Sequence, residues 1–253
     1  MPSITTVTFD LWQTLLLDNR ELGRARAQVR LEGAQNALKQ FGEEYDLDHI
    51  REAYRSCYRH CHAIRDQNLD VAFRDQVEVF IGNISPGLVD RLPEEVAQEI
   101  LAAYSDSFFV HPPLPHVDAF NVLSQAKAAG LRIGLISNTG MTPGVAFRKF
   151  LEQHNMLDFF DTLTFSDEVK LAKPGKEIFL LTLGELGTEP AESVHVGDHS
   201  TPFAPNAAAL RKIEPTLSGS DNASSATIGR HASGTRQDGV VADDRSPSAK
   251  QPR

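Results

Sequence analysis

The chain has 253 residues, 41% hydrophobic and 23% charged, which is enough to bury a core in one domain or two modest ones. Its formal net charge of −9 argues against a nucleic-acid partner, whose binding draws on clustered Lys and Arg, and its two cysteines cannot build the multi-bridge framework of a small secreted domain. The opening Met1-Pro2-Ser3-Ile4 lacks the basic start and apolar run of a signal peptide, and no later run approaches a membrane span, so a cytoplasmic protein without a membrane partner is expected.

In chain order, residues 4–9 form a short apolar and β-branched run that halts at Asp10, the pattern of a buried strand delivering a carboxylate at its carboxyl end. Residues 20–109 turn helical, with periodic stretches over 25–41, 47–63, 72–81 and 93–108 separated by Gly, Asn and Pro signals. Within them, Cys57 and Cys61 lie one turn apart near His60 and His62. With no second ligand pair elsewhere, they read as buried helix cysteines rather than a metal site. Arg24, Arg26 and Arg30 read as a solvated charged face rather than as site residues.

The stiff stretch His111-Pro112-Pro113-Leu114-Pro115 closes this all-helical insertion. Beyond it helix and strand alternate: an amphipathic helix over 117–129, a strand over 131–136, a helix capped by Thr142 with Pro143 in its first turn, a strand over 162–165, a helix opened by Pro174, and a strand over 194–196. Such alternation predicts an α/β fold, a Rossmann-like parallel sheet wrapped by helices. Residues 216–253 are rich in Ser, Ala, Gly, Asp and Arg and poor in large apolar residues, and are expected to be a disordered tail.

Four short motifs fall at the predicted strand ends: Phe9-Asp10-Leu11-Trp12-Gln13-Thr14-Leu15, Leu135-Ile136-Ser137-Asn138-Thr139, Lys173-Pro174, and Val196-Gly197-Asp198. In this order they resemble the haloacid dehalogenase (HAD) superfamily of hydrolases over residues 4–198. The resemblance implies a core of residues 1–15 and 113–215 and a helical cap of 16–112. It also implies catalysis by a nucleophilic Asp10 assisted by Lys173, since a carboxylate attacks phosphorus or activated carbon without a separate base. Ser137 and Asn138 would hold the transferring group. Mg²⁺ would sit on the Asp10 carboxylate, the backbone carbonyl of Trp12 and Asp198, oxygen ligands of the kind a hard cation prefers. A Mg²⁺-dependent phosphatase acting on a small phosphorylated metabolite is the leading expectation. A 2-haloacid dehalogenase-like hydrolase and a catalytically impaired fold that only binds a ligand or partner are the alternatives.

The sequence departs from the family pattern at two places. Phosphatases of the family usually carry Asp two residues after the nucleophile, where it protonates the leaving oxygen and then activates water, whereas this chain has Trp12, which can do neither; Gln13 replaces the usual Gly. The further acidic residue expected five positions beyond Asp198 is Phe203, in a stretch whose prolines break the helix expected there.

Overall fold

A computed structural model describes residues 3–198, so the expectations for Phe203 and for the tail at 216–253 lie outside the described residues. The sheet is four-stranded and all parallel, in the order β5-β4-β1-β6, with β1 at Thr6–Phe9, β4 at Arg132–Ser137, β5 at Thr162–Phe165 and β6 at Ser193–Val196. β1 is central and buried on both faces. Its Val7 and Phe9 enter a large apolar core. On the opposite face its two threonines are satisfied by hydroxyl bonds, Thr6 Oγ1 to Thr188 Oγ1 at 2.7 Å and Thr8 Oγ1 to His195 Nδ1 at 2.9 Å, as buried polar groups must be.

Helices α6 (Ala119–Ala128), α7 (Gly144–Gln153), the short α8 (Ser166–Val169) and α9 (Lys176–Glu185) connect the strands. Thr142 does not cap α7 as expected: Pro143 occupies the cap position without a side-chain bond, and the Thr142 hydroxyl instead accepts Arg30 Nη2 at 2.9 Å. Between β1 and β4 lies the helical insertion, α1 (Arg20–Phe41), α2 (Leu47–Arg65), α3 (Phe73–Ile84), α4 (Leu88–Arg91) and α5 (Glu94–Val110).

The insertion has its own apolar core. α1 presents Ala27, Leu31, Ala34 and Leu38 at helical spacing to α5, where Gly33 lets the two backbones approach at Ala103. Cys57 and Cys61 are buried in the same cluster, with Cys57 Sγ donating to Gln76 O. The two cores interlock, since Phe108 of α5 lies in the sheet's core and Met141 of the loop after β4 lies in the insertion's core.

An antiparallel ribbon not foreseen from the sequence, β2 (Leu16–Leu17) with β3 (Leu114–Pro115), joins the two chain crossings between sheet and insertion. Arg26 and Arg30 are also not the solvated face expected of them. Both are buried, Arg26 pairing with Asp18 and donating to His111 O, and Arg30 donating to Ser107, Tyr54 and Thr142. Arg24 is exposed. Among the described residues no helix is long and apolar enough to cross a membrane.

Candidate active site

Because the strands are parallel, their carboxyl ends share one edge, and the expected residues gather there. Phe9 pairs in register with Leu135 on one side and Val196 on the other, so Asp10, Ser137 and Gly197-Asp198 all follow the same row. The Asp10 amide continues the ladder by donating to Val196 O at 2.8 Å. Gly197 permits a close approach here, since a Cβ on it would stand 3.3 Å from Asp10 Cβ.

Lys173 arrives from the loop after α8 and places Nζ 2.5 Å from Asp10 Oδ1, which also accepts the Leu11 amide at 2.7 Å. Burial pushes the Asp10 carboxyl above its usual range, the Lys173 charge pulls against it, and the nearby Asp198 carboxylate adds to the upward push. The Lys173–Pro174 peptide bond is cis.

Ser137 is fully buried at the end of β4, its hydroxyl 3.4 Å from Asn138 O. Asn138, expected to contact substrate, instead spends both ends of its amide on the Lys173 backbone: Nδ2 donates to Lys173 O and Oδ1 accepts Lys173 N, both at 2.9 Å. That pair holds the backbone of Lys173 on the side of the sheet.

Trp12 is half-buried. Its ring meets Phe147 and Phe108 edge-on, with centroids 5.3 and 6.2 Å apart, and the Arg26 guanidinium lies 5.8 Å above it. Gln13 takes the left-handed conformation at φ 56°, a position suited to the glycine it replaces, and is held by its amide bond to Leu16 O at 2.7 Å and its side-chain bond to Asp18 O at 2.8 Å.

Sequence reasoning missed His195. Its ring lies beneath Gly197 and touches Thr8, and burial, aided by the Lys173 charge, pushes its pKa down to about 3, so the imidazole is neutral. The only local signal was a histidine inside an otherwise apolar strand, which reads as readily as a satisfied core residue.

The residues present suit a hard divalent cation. Two carboxylates, Asp10 and Asp198, lie close enough for one to raise the pKa of the other, and the turn of Trp12 adjoins them; such a donor set is all oxygen. Among the described residues no group of three or more His, Cys, Asp or Glu side chains is placed to hold a metal.

A family model for haloacid dehalogenase-like hydrolases matches residues 4–205. The chain is 30% identical over 111 residues to a glyceraldehyde 3-phosphate phosphatase of Methanopyrus kandleri, covering 43% of this chain and 45% of the relative. It is 33% identical over 149 residues to a phosphoglycolate phosphatase of Yersinia pseudotuberculosis, covering 54% and 62%. It thus spans about half the length of the curated relatives it matches. A solved 2-haloacid dehalogenase of Pseudomonas syringae superposes with a TM-score of 0.53 at 16% identity, covering 78% of each chain, a likeness of fold.

Proposed function

Because the chain belongs to the haloacid dehalogenase-like hydrolases, we propose that it is a cytoplasmic, Mg²⁺-dependent phosphatase acting on a small phosphorylated metabolite through an aspartyl intermediate at Asp10. The observation that carries this reading is the contact of Lys173 Nζ with Asp10 Oδ1 at the sheet edge that also bears Asp198. The phosphatase names of relatives acting on glyceraldehyde 3-phosphate and phosphoglycolate support a small phosphorylated substrate over a haloacid. In this reading residues 1–15 and 113–215 form the catalytic core and 16–112 the cap.

Asp10 attacks phosphorus, the ester P–O bond breaks and the leaving oxygen departs with the bonding pair and takes its proton from water, after which a water molecule cleaves the acyl phosphate, releasing inorganic phosphate and restoring the carboxylate. Lys173 neutralises charge shared between nucleophile and phosphoryl oxygens, and Ser137 with neighbouring backbone amides receives those oxygens. Asn138 keeps Lys173 in line. Asp10, the Trp12 carbonyl and Asp198 would hold Mg²⁺, which when bound supplies further charge compensation for attack by an anion on an anion. No side chain at Trp12 exchanges a proton with the leaving oxygen, so esters with good leaving groups are the best substrates.

The test is a screen of phosphorylated two- and three-carbon metabolites and p-nitrophenyl phosphate, with and without Mg²⁺, following inorganic phosphate. Turnover that requires Mg²⁺ and vanishes in Asp10→Asn, with an unchanged melting curve, is expected. Metal-independent halide release from 2-haloacids, or undiminished turnover in Asp10→Asn, would overturn the assignment.

A further inference from the structure

Two segments far apart in the chain meet beside Lys173. α2 ends in a turn where the Asn68 amide donates to Arg65 O at 2.9 Å and the Leu69 amide to Ile64 O at 3.4 Å, with Asn68 itself left-handed at φ 62°. This is a helix C-cap of the kind usually supplied by glycine, and asparagine is among the few other residues that tolerate it. α8 ends in the same conformation at Lys170, φ 58°. The two caps are joined: Leu69 and Leu171 form an antiparallel bridge, the Ala172 amide donates to Asn68 O at 2.9 Å, and the Asp70 amide donates to Lys170 O at 3.1 Å. Gly175 completes the fit, because a Cβ there would stand 2.7 Å from Asn68 Cβ.

A buried polar chain fastens the same segment to the loop after β4. Asp70 Oδ1 accepts from Arg65 Nε and from the Val71 amide, each at 2.8 Å, and Oδ2 accepts from Ser166 Oγ. Ser166 Oγ in turn accepts the Thr139 amide at 2.9 Å, and Arg65 Nη2 donates to Gly140 O at 2.7 Å. Thr139 and Gly140 follow Ser137-Asn138 directly, and residues 166–172 lead directly into Lys173. A buried carboxylate persists only where it is paired and bonded, so this network fixes both loops relative to the insertion.

We propose that Asn68 and Asp70 are positioning residues for Lys173, holding its loop from the side of the insertion while Asn138 holds it from the sheet. The inference rests on the proposed role of Lys173 at Asp10. Freed on one side, the loop shifts, and a displacement of about 1 Å in a positioned group can cost up to roughly 10² in rate.

The test uses the full chain with Asn68→Val and Asn68→Gly. Asn68 is exposed, so neither change opens a core cavity. Valine resists positive φ, whereas glycine adopts it freely. Reductive methylation mapped by peptide mass spectrometry reads the access of reagent to Lys173, and kinetics on p-nitrophenyl phosphate read its function. In Asn68→Val, labelling of Lys173 should rise several-fold relative to the other lysines, and kcat should fall about 10-fold with KM nearly unchanged. Asn68→Gly should match the parent in both. If Asn68→Val proves unfolded, Asp70→Asn, which keeps the shape of the side chain but removes the carboxylate that accepts from Arg65 and Ser166, must give the same pattern. Parental labelling and kcat in a folded clamp variant, or equal losses in Asn68→Val and Asn68→Gly, would overturn the proposal. Altered labelling in an enzyme whose parent turns over no phosphate ester would leave the clamp standing and remove the phosphatase reading instead.

Discussion

Replacing Trp12 by Asp sets packing against chemistry at one position. The ring bridges Phe108 and Phe147 in the sheet's core and lies under Arg26. Full burial of Trp or Phe is worth about 3–5 kcal/mol against Ala. Trp12 is half-buried, so roughly 2–3 kcal/mol is lost, less what the new carboxylate recovers from Arg26, which keeps its own pair with Asp18. For a body of this size that is a drop of roughly 4–12 °C in Tm. The carboxylate gains a general acid for the leaving oxygen, an effect typically worth about 10² to 10⁴. A softened aromatic cluster lowers the realised gain to roughly 10- to 100-fold, largest for alkyl esters, whose leaving groups most need a proton. Trp12→Phe is the control: it keeps the packing, so it should hold Tm within a few degrees and leave kcat unchanged. Thermal melts run beside burst and steady-state kinetics on aryl and alkyl phosphates decide the matter. A folded Trp12→Asp protein without gain on alkyl esters, or parental turnover already equal on both ester types, would refute the reasoning.

Two further changes probe the scaffold. Burial lifts the Asp167 carboxyl from its ordinary 3.8 to about 6, although the Gly144 amide bond opposes the rise. Folding therefore favours the protonated form; the resulting stability is fully present below about pH 3.8 and is lost as pH rises through about 6, by up to ~1.4 kcal/mol for each pH step of one across that window. Asp167→Asn keeps an acceptor for Gly144 but cannot titrate. Its urea midpoint relative to the parent should climb between about pH 4 and 7, and a flat difference would contradict the buried-acid account. At the α1–α5 crossing, a Cβ on Gly33 would overlap that of Ala103. Overpacking costs about 1–3 kcal/mol and glycine-to-alanine helix propensity returns up to ~1, so Gly33→Ala should destabilise by roughly 1–2 kcal/mol. Adding Ala103→Gly should recover most of that loss in the same urea series, and additive losses would place the strain elsewhere.

The sheet edge was legible because its signals are local. Each strand is a short apolar run, and the chemistry-bearing residue follows it directly, as Asp10 follows Val7 and Phe9 of β1 and Asp198 follows β6 after Gly197. The site residues then needed only parallel strands to share an edge. What stayed hidden depends on partners far along the chain. Arg26 and Arg30 interrupt the apolar stripe of α1, and nothing nearby distinguishes them from a solvated face. Arg26 does have a nearby partner in Asp18, but His111, Ser107 and Thr142, which complete the two sites, reach them from 77 to 112 positions away. The β2–β3 ribbon was illegible for a different reason, since two residues against two give no periodicity to detect.

Asn138 shows how a motif residue can carry a contact that its spacing does not announce. Its place after Ser137 at a strand end suggested contact with the transferring group, but the loop's geometry turns its amide toward Lys173, 35 residues on. An amide satisfies one backbone N–H and one C=O together from two separate atoms, a match that an ionised carboxylate, which only accepts, cannot make. The same demand recurs on the other side of the lysine, where the backbone groups of Asn68 and Asp70 meet those of Ala172 and Lys170. Lysine has a long, flexible four-carbon stem, so a single charged contact at Asp10 cannot by itself fix its loop. Restraint from two directions ties the loop of Lys173 to the insertion on one side and to the sheet on the other, so under the proposed role of that lysine its placement depends on both cores at once.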